Sequence, residues 1–291
     1  MKLIKPSIEI WEQTDFTLEG IKKHIERCAR VCYKSEDKIT DDSYEKFVQM
    51  LIDRGHTAML EHGTVYLTER YSKRFGDIPY FNDIKSKWEY NSYSKVNTII
   101  SEDNLEMWKF ITTNYRALLE NECLIEPVFN AKYHLHGNIN HYKRITVKLV
   151  CSRAVAQQLT RHRKFSFAME SQRYCNYNND KFGNEITFIM PQWYENTKYY
   201  DYHLLKEFEE ALASIEKLYM FYISKGLKPQ EARAILPNAT KTELVMTGFV
   251  EDWINLFALR CSDSVLGKPD PETSYLADKI REEFKSRNLI S

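Results

Sequence analysis

Arg161-His162-Arg163-Lys164-Phe165-Ser166-Phe167-Ala168-Met169-Glu170-Ser171-Gln172-Arg173 is the stretch on which the reading of this chain turns. It holds three arginines, a lysine and a histidine, with Glu170 as its one acid. Lysine plus arginine number 41 over the 291 residues, and aspartate plus glutamate also 41, so the cluster is not the overspill of a generally basic chain. Guanidinium forks suit phosphate better than ammonium groups do, and one reading is an anion site. The other is a solvated basic helix end, which the macrodipole favours in the same place. Charge alone leaves both open.

The flanking pattern says how the stretch is presented. Thr146 to Val150 alternates like a half-buried strand. Ser152 can cap the helix that follows, in which Val155 and Leu159 repeat at i, i+4. Gln158, Arg161 and His162 then fall on neighbouring turns near that helix's C-terminal end, and the segment to Ser171 is expected to be a loop folding back over it. Towards the N-terminus, residues 1–10 read as a short strand. A helix is predicted from Thr17, with Leu18, Ile21, Ile25, Cys28 and Cys32 on one face, and a second from Asp41 to Asp53, stopped by Gly55. Gly63 to Thr68 has strand composition, with His62 at its entrance. Taken alone, His62 is either a structural hydrogen-bonder or a binding group.

Beyond the stretch, Ile186 to Met190 predicts a strand and Tyr202 to Ser224 a long amphipathic helix closed by Gly226. Pro229 starts a short helix carrying Arg233. Glu243 to Val250 looks extended. Trp253 to Arg260 reads as helical, with Asn255 and Arg260 near its two ends, and Pro271 to Ser286 makes a last helix. Residues 71–142 differ. Tyr71 to Asn97 has little periodicity, and Leu105 to Leu119 gives one helical pattern through Trp108, Ile111, Tyr115 and Leu118. The span reads as an elaboration on the surface of a single-domain core, 1–291.

Composition excludes several classes. With 43% apolar and 28% charged residues, the chain has the make-up of a globular protein. No run reaches the ~18 apolar residues of a membrane helix, and Met1 to Trp11 lacks a signal-peptide core. Six scattered cysteines with no CxxC indicate a reducing, cytoplasmic setting, not a disulfide scaffold. His134, His136 and His141 are read as surface loop, with no metal expected. Zero net charge argues against a nucleic-acid coat or a membrane-surface protein. The nine glycines are too far apart to write GxGxxG or a P-loop, so a phosphate-bearing cofactor would have to be held by side chains such as Arg161 and Arg163.

Several motifs, in order, resemble the flavin-dependent thymidylate synthases. Arg161-His162-Arg163, seven residues, then Ser171 is that family's signature spacing. Ala29-Arg30-Val31-Cys32-Tyr33 looks like its first-helix segment, and Gly55-His56 to Leu60-Glu61-His62 like its glycine–histidine, leucine–glutamate–histidine stretch. Ala232-Arg233 to Pro237 resembles its arginine-to-proline segment, and Asn255 to Arg260 its C-terminal asparagine–arginine helix. The likeness covers roughly 1–70 and 143–287, leaving 71–142 as an insertion.

The resemblance implies an α+β fold, helices packed on a mixed, mainly antiparallel sheet with no Rossmann or P-loop unit. It implies reductive methylation of dUMP to dTMP, with methylenetetrahydrofolate as carbon donor and NADPH-reduced FAD as hydride source. On that likeness Thr64, Arg161, His162, Arg163 and Asn255 contact the FAD, and His62 lies near flavin and folate. Phe249, Val250 and Glu251 align with a further flavin-contacting segment, with poorly matching residue types. Gln158, Arg161, Met169, Glu170, Ser171, Gln172, Arg173, Arg233 and Arg260 fall at dUMP-binding positions, and Arg260 matches the arginine credited with activating the uracil. The family shares each site between subunits of a homotetramer, and nucleic acid and membrane are not among its partners. There are departures. Many members carry glutamate where Met169 stands, and the segment after Arg260 is longer and lacks the usual alanine–glutamine pair.

Physical logic agrees with the likeness. Uracil C5 is a poor nucleophile, and methylating it requires negative charge to be stabilised on the ring. A cysteine thiolate adding at C6 is one solution, but no cysteine here has a proline–cysteine–histidine context. A fixed cation at the carbonyl and N3 edge is the other, and Arg260 is the candidate. Ser171 has no evident histidine–carboxylate pair to activate it, so a hydrogen-bonding role is preferred. The competing class is a nucleic-acid-binding module, in which Arg161–Lys164 grip phosphates and the tyrosines of 71–115 stack bases. A catalytically dead homologue, binding flavin without turnover, is a third reading.

Overall fold

A computed structural model describes residues 1–73, 85–121, 139–195 and 201–291. Its centre is a four-stranded antiparallel sheet, ordered β2 (Ser7–Trp11), β6 (Arg144–Ser152), β9 (Lys241–Phe249) and β7 (Ser166–Met169). In β6, Ile145, Val147, Leu149 and Cys151 alternate onto one face, while Thr146 and Lys148 point to the other. The register pairs Arg144 with Phe249 and Ser152 with Lys241. On the first face lie α7 (Val250–Arg260) and α8 (Pro271–Ser286), which bring Trp253, Leu256, Phe257, Ile280 and Phe284 into the largest apolar cluster. The opposite face takes α1 (Leu18–Arg30) through Trp11, Cys28, Val31 and Val245.

Helix starts follow local chemistry. Thr17 accepts a hydrogen bond from the Gly20 amide to begin α1. Ser152 does the same for Val155 at the head of α4 (Arg153–Leu159), and Asp270 for Thr273 at the head of α8. Around this frame stand α2 (Ser43–Asp53), the 23-residue α5 (Tyr202–Ser224) and α6 (Pro229–Ala232). Gly226, at φ 91°, turns the chain out of α5 in a left-handed conformation open to glycine. β1 (Lys2–Ile4) pairs in parallel with β8 (Thr187–Ile189), so the sheets are mixed and mainly antiparallel, as expected.

Three local expectations are overturned, the last being the surface-loop reading of His141. Leu105–Leu119 is not one helix. Glu106–Asn114 is β5, the middle strand of a second sheet between β3 (Thr64–Ser72) and β4 (Lys95–Ile100), and α3 (Tyr115–Asn121) starts only afterwards. As a central strand β5 is buried on both faces, so it lacks the alternation that marks a half-exposed strand. The Phe110-Ile111-Thr112-Thr113 run carried the strand signal. Nor is the segment before Ser171 a loop throughout, since Ser166–Met169 is the edge strand on β9. His134, His136 and Cys123 lie outside the described residues. His141 is buried, with Nε2 3.0 Å from the Leu67 carbonyl oxygen.

Candidate active site

The basic turn is held from below. After α4 the chain turns through His162, whose amide donates to the Leu159 carbonyl, and Phe165 plunges into the core against Trp253, ring centroids 4.7 Å apart. Gly248 of β9 makes room for that ring: a Cβ there would stand 2.5 Å from Phe165 Cδ1. Arg161, Arg163 and Lys164 are thereby left at the surface. Neither Arg161 nor Arg163 has a carboxylate at ion-pair distance among the described residues, and Lys164 reaches only to 3.9 Å from Asp252 Oδ1.

His162 and Arg260 meet. Arg260, at the end of α7, donates from Nε to His162 Nε2 at 3.2 Å. That nitrogen must offer a lone pair, so His162 is neutral with its proton on Nδ1. Partial burial, and then the Arg260 charge, hold its pKa below the ordinary histidine value. The bond fixes the cation at the end of α7 against the arginine turn, two segments 98 residues apart in the chain.

Beside the turn lies a cavity of about 290 Å³. It is lined by Arg163, Lys164 and Ser166, by Arg144, Phe249 and Asp252, and by Ser92 to Lys95 with Asn114. Arg144 is only 9% exposed. Its partners are neutral: the Glu61 carbonyl oxygen at 2.9 Å and Thr64 Oγ1 at 3.4 Å. Burial pulls its pKa down to about 10. Thr64 is buried too, fastened at its amide by Gln13 Oε1.

The second half of the motif is elsewhere. Glu170 follows β7 and its amide donates to the Glu243 carbonyl. Phe249, beside Arg163, and Glu243 are six residues apart on one extended strand, roughly 20 Å. The two halves of the motif thus sit against opposite ends of β9. The Ser171 amide donates to the Cys32 carbonyl, and Ser171 Oγ accepts from the Arg173 amide. Arg173 is exposed, with its guanidinium 5.5 Å from the Tyr174 ring centre. Glu170 is 1% exposed and its carboxylate holds Lys241 at 2.8 Å, so that acid is already engaged. Met169 is half-buried in β7. Gln172 Nε2 and Glu170 Oε1 are buried without a hydrogen-bond partner among the described residues.

The remaining candidates are dispersed. Gln158 accepts from Thr273 Oγ1 at 3.5 Å, towards α8. Arg233 is half-buried just past α6, and Asn255 is exposed on α7. His62 is fully buried and does not line the cavity. Its Nδ1 lies 2.7 Å from Thr247 Oγ1, which lies 2.7 Å from Thr146 Oγ1, itself 3.0 Å from His24 Nε2. This polar chain ties α1 and the strand entrance to β6 and β9. Sequence reasoning missed Arg144 and Lys95. A lone arginine opening a strand and a lysine in an aperiodic stretch carry no local signal.

The described thiols are all quiet. Burial pushes Cys32 up to about 11 and Cys175 and Cys261 up to about 12, and raises Cys28 and Cys151 likewise. A nucleophilic thiol needs the opposite shift.

Comparison with known proteins agrees with the motif reading. Residues 118–287, more than half of the chain, match the family described as "Thymidylate synthase complementing protein". A flavin-dependent thymidylate synthase of Pyrococcus abyssi is 31% identical over 156 residues, 53% of this chain and 60% of its own length. One from Synechocystis is 32% identical over 171 residues, 57% of this chain and 75% of its own length. The matched part thus spans about 60% of the archaeal relative. A solved structure of a UMP/dUMP methylase, PolB from Streptomyces cacaoi, overlays 98% of this chain and 93% of its own at a TM-score of 0.46 and 13% identity, too remote a likeness to bear on function. With the motifs in order and the family match over more than half its length, the chain belongs to the flavin-dependent thymidylate synthase family.

Proposed function

We propose that this protein converts dUMP to dTMP by reductive methylation, with methylenetetrahydrofolate giving the carbon and NADPH the reducing equivalent through FAD. The observation that carries the reading is the hydrogen bond from Arg260 Nε to His162 Nε2, which sets a cation beside the arginine turn. The residues present suit a dinucleotide: Arg144 is a buried guanidinium without a carboxylate partner among the described residues, in a cavity bordered by Arg163. Arg144 and Arg163 would hold its phosphate-bearing part, with Thr64 behind the cavity fixing Arg144, and when bound the flavin supplies hydride.

The chain's own residues do the rest. Arg260 donates towards the uracil carbonyl and N3 edge, stabilising the enolate-like charge that makes C5 nucleophilic. His162, neutral and accepting at Nε2, fixes the direction of that guanidinium without competing for its charge. With the described thiols held protonated by burial, covalent activation through sulfur is disfavoured. Ser171, Gln172, Arg173 and Arg233 bind the nucleotide, and since Ser171 and Arg163 sit against opposite ends of β9, they complete a site on a second copy of a homotetramer.

The test is spectroscopic and chemical. Purified protein supplied with FAD should show the visible flavin bands, and NADPH oxidation should depend on both dUMP and the folate, with dTMP identified by mass. Protein that stays colourless and takes up no FAD contradicts the reading, and flavin that is never reoxidised when dUMP and folate are added makes this a dead homologue.

A further inference from the structure

Arg144 is the anomaly of the cavity. A guanidinium taken nine-tenths out of water, hydrogen-bonded only to a carbonyl and a hydroxyl, with the Glu61 and Asp252 carboxylates acting on it from beyond ion-pair distance, is a buried charge without a direct ion pair among the described residues. Three further cations border the same space: Arg163, Lys164 and Lys95. Against them stands the Asp252 carboxylate, 6% exposed, which Lys164 approaches at 3.9 Å. Lys95 is supplied by the 71–142 segment. Its ammonium sits 3.0 Å from Glu251 Oε2, and 4.6 and 5.3 Å from the ring centres of Phe249 and Tyr142. The Glu251 side chain is 45% exposed, so that pair is half-solvated and exchanges cheaply for a stronger anion.

We propose that Arg144 and Lys95, residues outside the arginine motif, form with Arg163 a subsite for the diphosphate bridge of a dinucleotide, and that the 71–142 segment exists in part to complete it. This rests on the flavin reading for the identity of the ligand but not for the chemistry of the subsite. About 290 Å³ is near the lower end of ligand pockets and accepts a diphosphate, not a whole dinucleotide, so the two nucleoside ends project from it. The Arg144 and Arg163 guanidinium groups can each bind two oxygens, while Lys95 serves as a point charge. Ser92, Tyr93, Ser94 and Asn114 also line the cavity, which the core strands alone would leave open.

Either FAD or NADPH brings a diphosphate, so the experiment has three titrations on the full chain: inorganic pyrophosphate, FAD and NADPH, followed by calorimetry. Wild type should bind pyrophosphate saturably. Lys95→Met and Arg144→Gln should each weaken it about tenfold or more, the loss of one charge-assisted hydrogen bond, and Arg144→Lys should recover part. FAD weakening in parallel assigns the bridge to the flavin; NADPH weakening instead assigns it to the nicotinamide cofactor. The substitution at half-exposed Lys95 carries the test if Arg144→Gln fails to fold. Absence of saturable pyrophosphate binding, or Lys95→Met indistinguishable from wild type, overturns the subsite. Pyrophosphate bound with no FAD uptake would keep the subsite and remove the flavin, whereas FAD and NADPH both bound equally by all variants would remove the subsite and keep the flavin.

Discussion

Arg260 and His162 show how far single residues could be read in advance. Both were legible, His162 in a basic cluster of a neutral chain and Arg260 through the likeness of its segment to the family's asparagine–arginine helix. Their contact was not, since 98 residues separate them. If Arg260 stabilises developing charge, Arg260→Ala should keep bound flavin and lose about 10²–10³ in kcat. His162→Phe removes only the acceptor, so it should lower kcat less than Arg260→Ala while leaving the KM for dUMP nearly unchanged. Steady-state kinetics checks both, and undiminished turnover in Arg260→Ala would take it out of the mechanism. His62, in contrast, was ambiguous, and lies in the interior with His24. Burial pulls both down to about 3 from the ordinary 6.5. The unfolded chain therefore binds protons below about 6.5 that the folded chain refuses until near 3, and stability falls as pH falls through that window. Around pH 5 the two histidines add a slope of about 2.7 kcal/mol per pH unit. Urea unfolding at pH 7, 6 and 5 measures it, and His24→Gln should remove about half.

At the scale of elements, the long amphipathic helix α5 and the Ser152 cap that starts α4 were readable, because periodicity and caps are local. β5 was not, because a strand buried on both faces shows no alternation. β7 was missed for a different reason: its four residues are too few for a pattern, and it exists through pairing with β9. The contact of Phe165 with Gly248 is what seats that edge strand and the basic turn together. A methyl at position 248 meets a rigid ring wedged against Trp253, and neither can yield easily. Gly248→Ala should destabilise by about 1–3 kcal/mol, as overpacking does, and loosen the arginine turn. A denaturation midpoint equal to wild type would contradict this packing.

For the whole molecule, the decisive fact is the separation of the motif's two halves along β7 and β9. Sequence spacing made them look like one site, whereas the strand pairing sets them against opposite ends of β9. Exposed apolar residues on α5, among them Leu204, Leu218 and Phe221, offer surface for contact between copies. Arg163→Ala and Ser171→Ala, each impaired alone, should regain activity when co-expressed and purified as mixed oligomers. Activity no greater than the sum of the two would place the halves in separate functions. The cations of Arg144 and Lys95 entered only with the three-dimensional structure, because the cavity they share is assembled from β4, β6 and the basic turn.

The central claim is that a fixed guanidinium, not sulfur, makes the pyrimidine reactive. Mass spectrometry of the intact chain, denatured during steady turnover with dUMP, folate and NADPH, tests it most directly. The account predicts dTMP accumulating while the protein's mass stays that of the unmodified chain. A chain heavier by one nucleotide, with the increment abolished by replacing a single cysteine with serine, would contradict it.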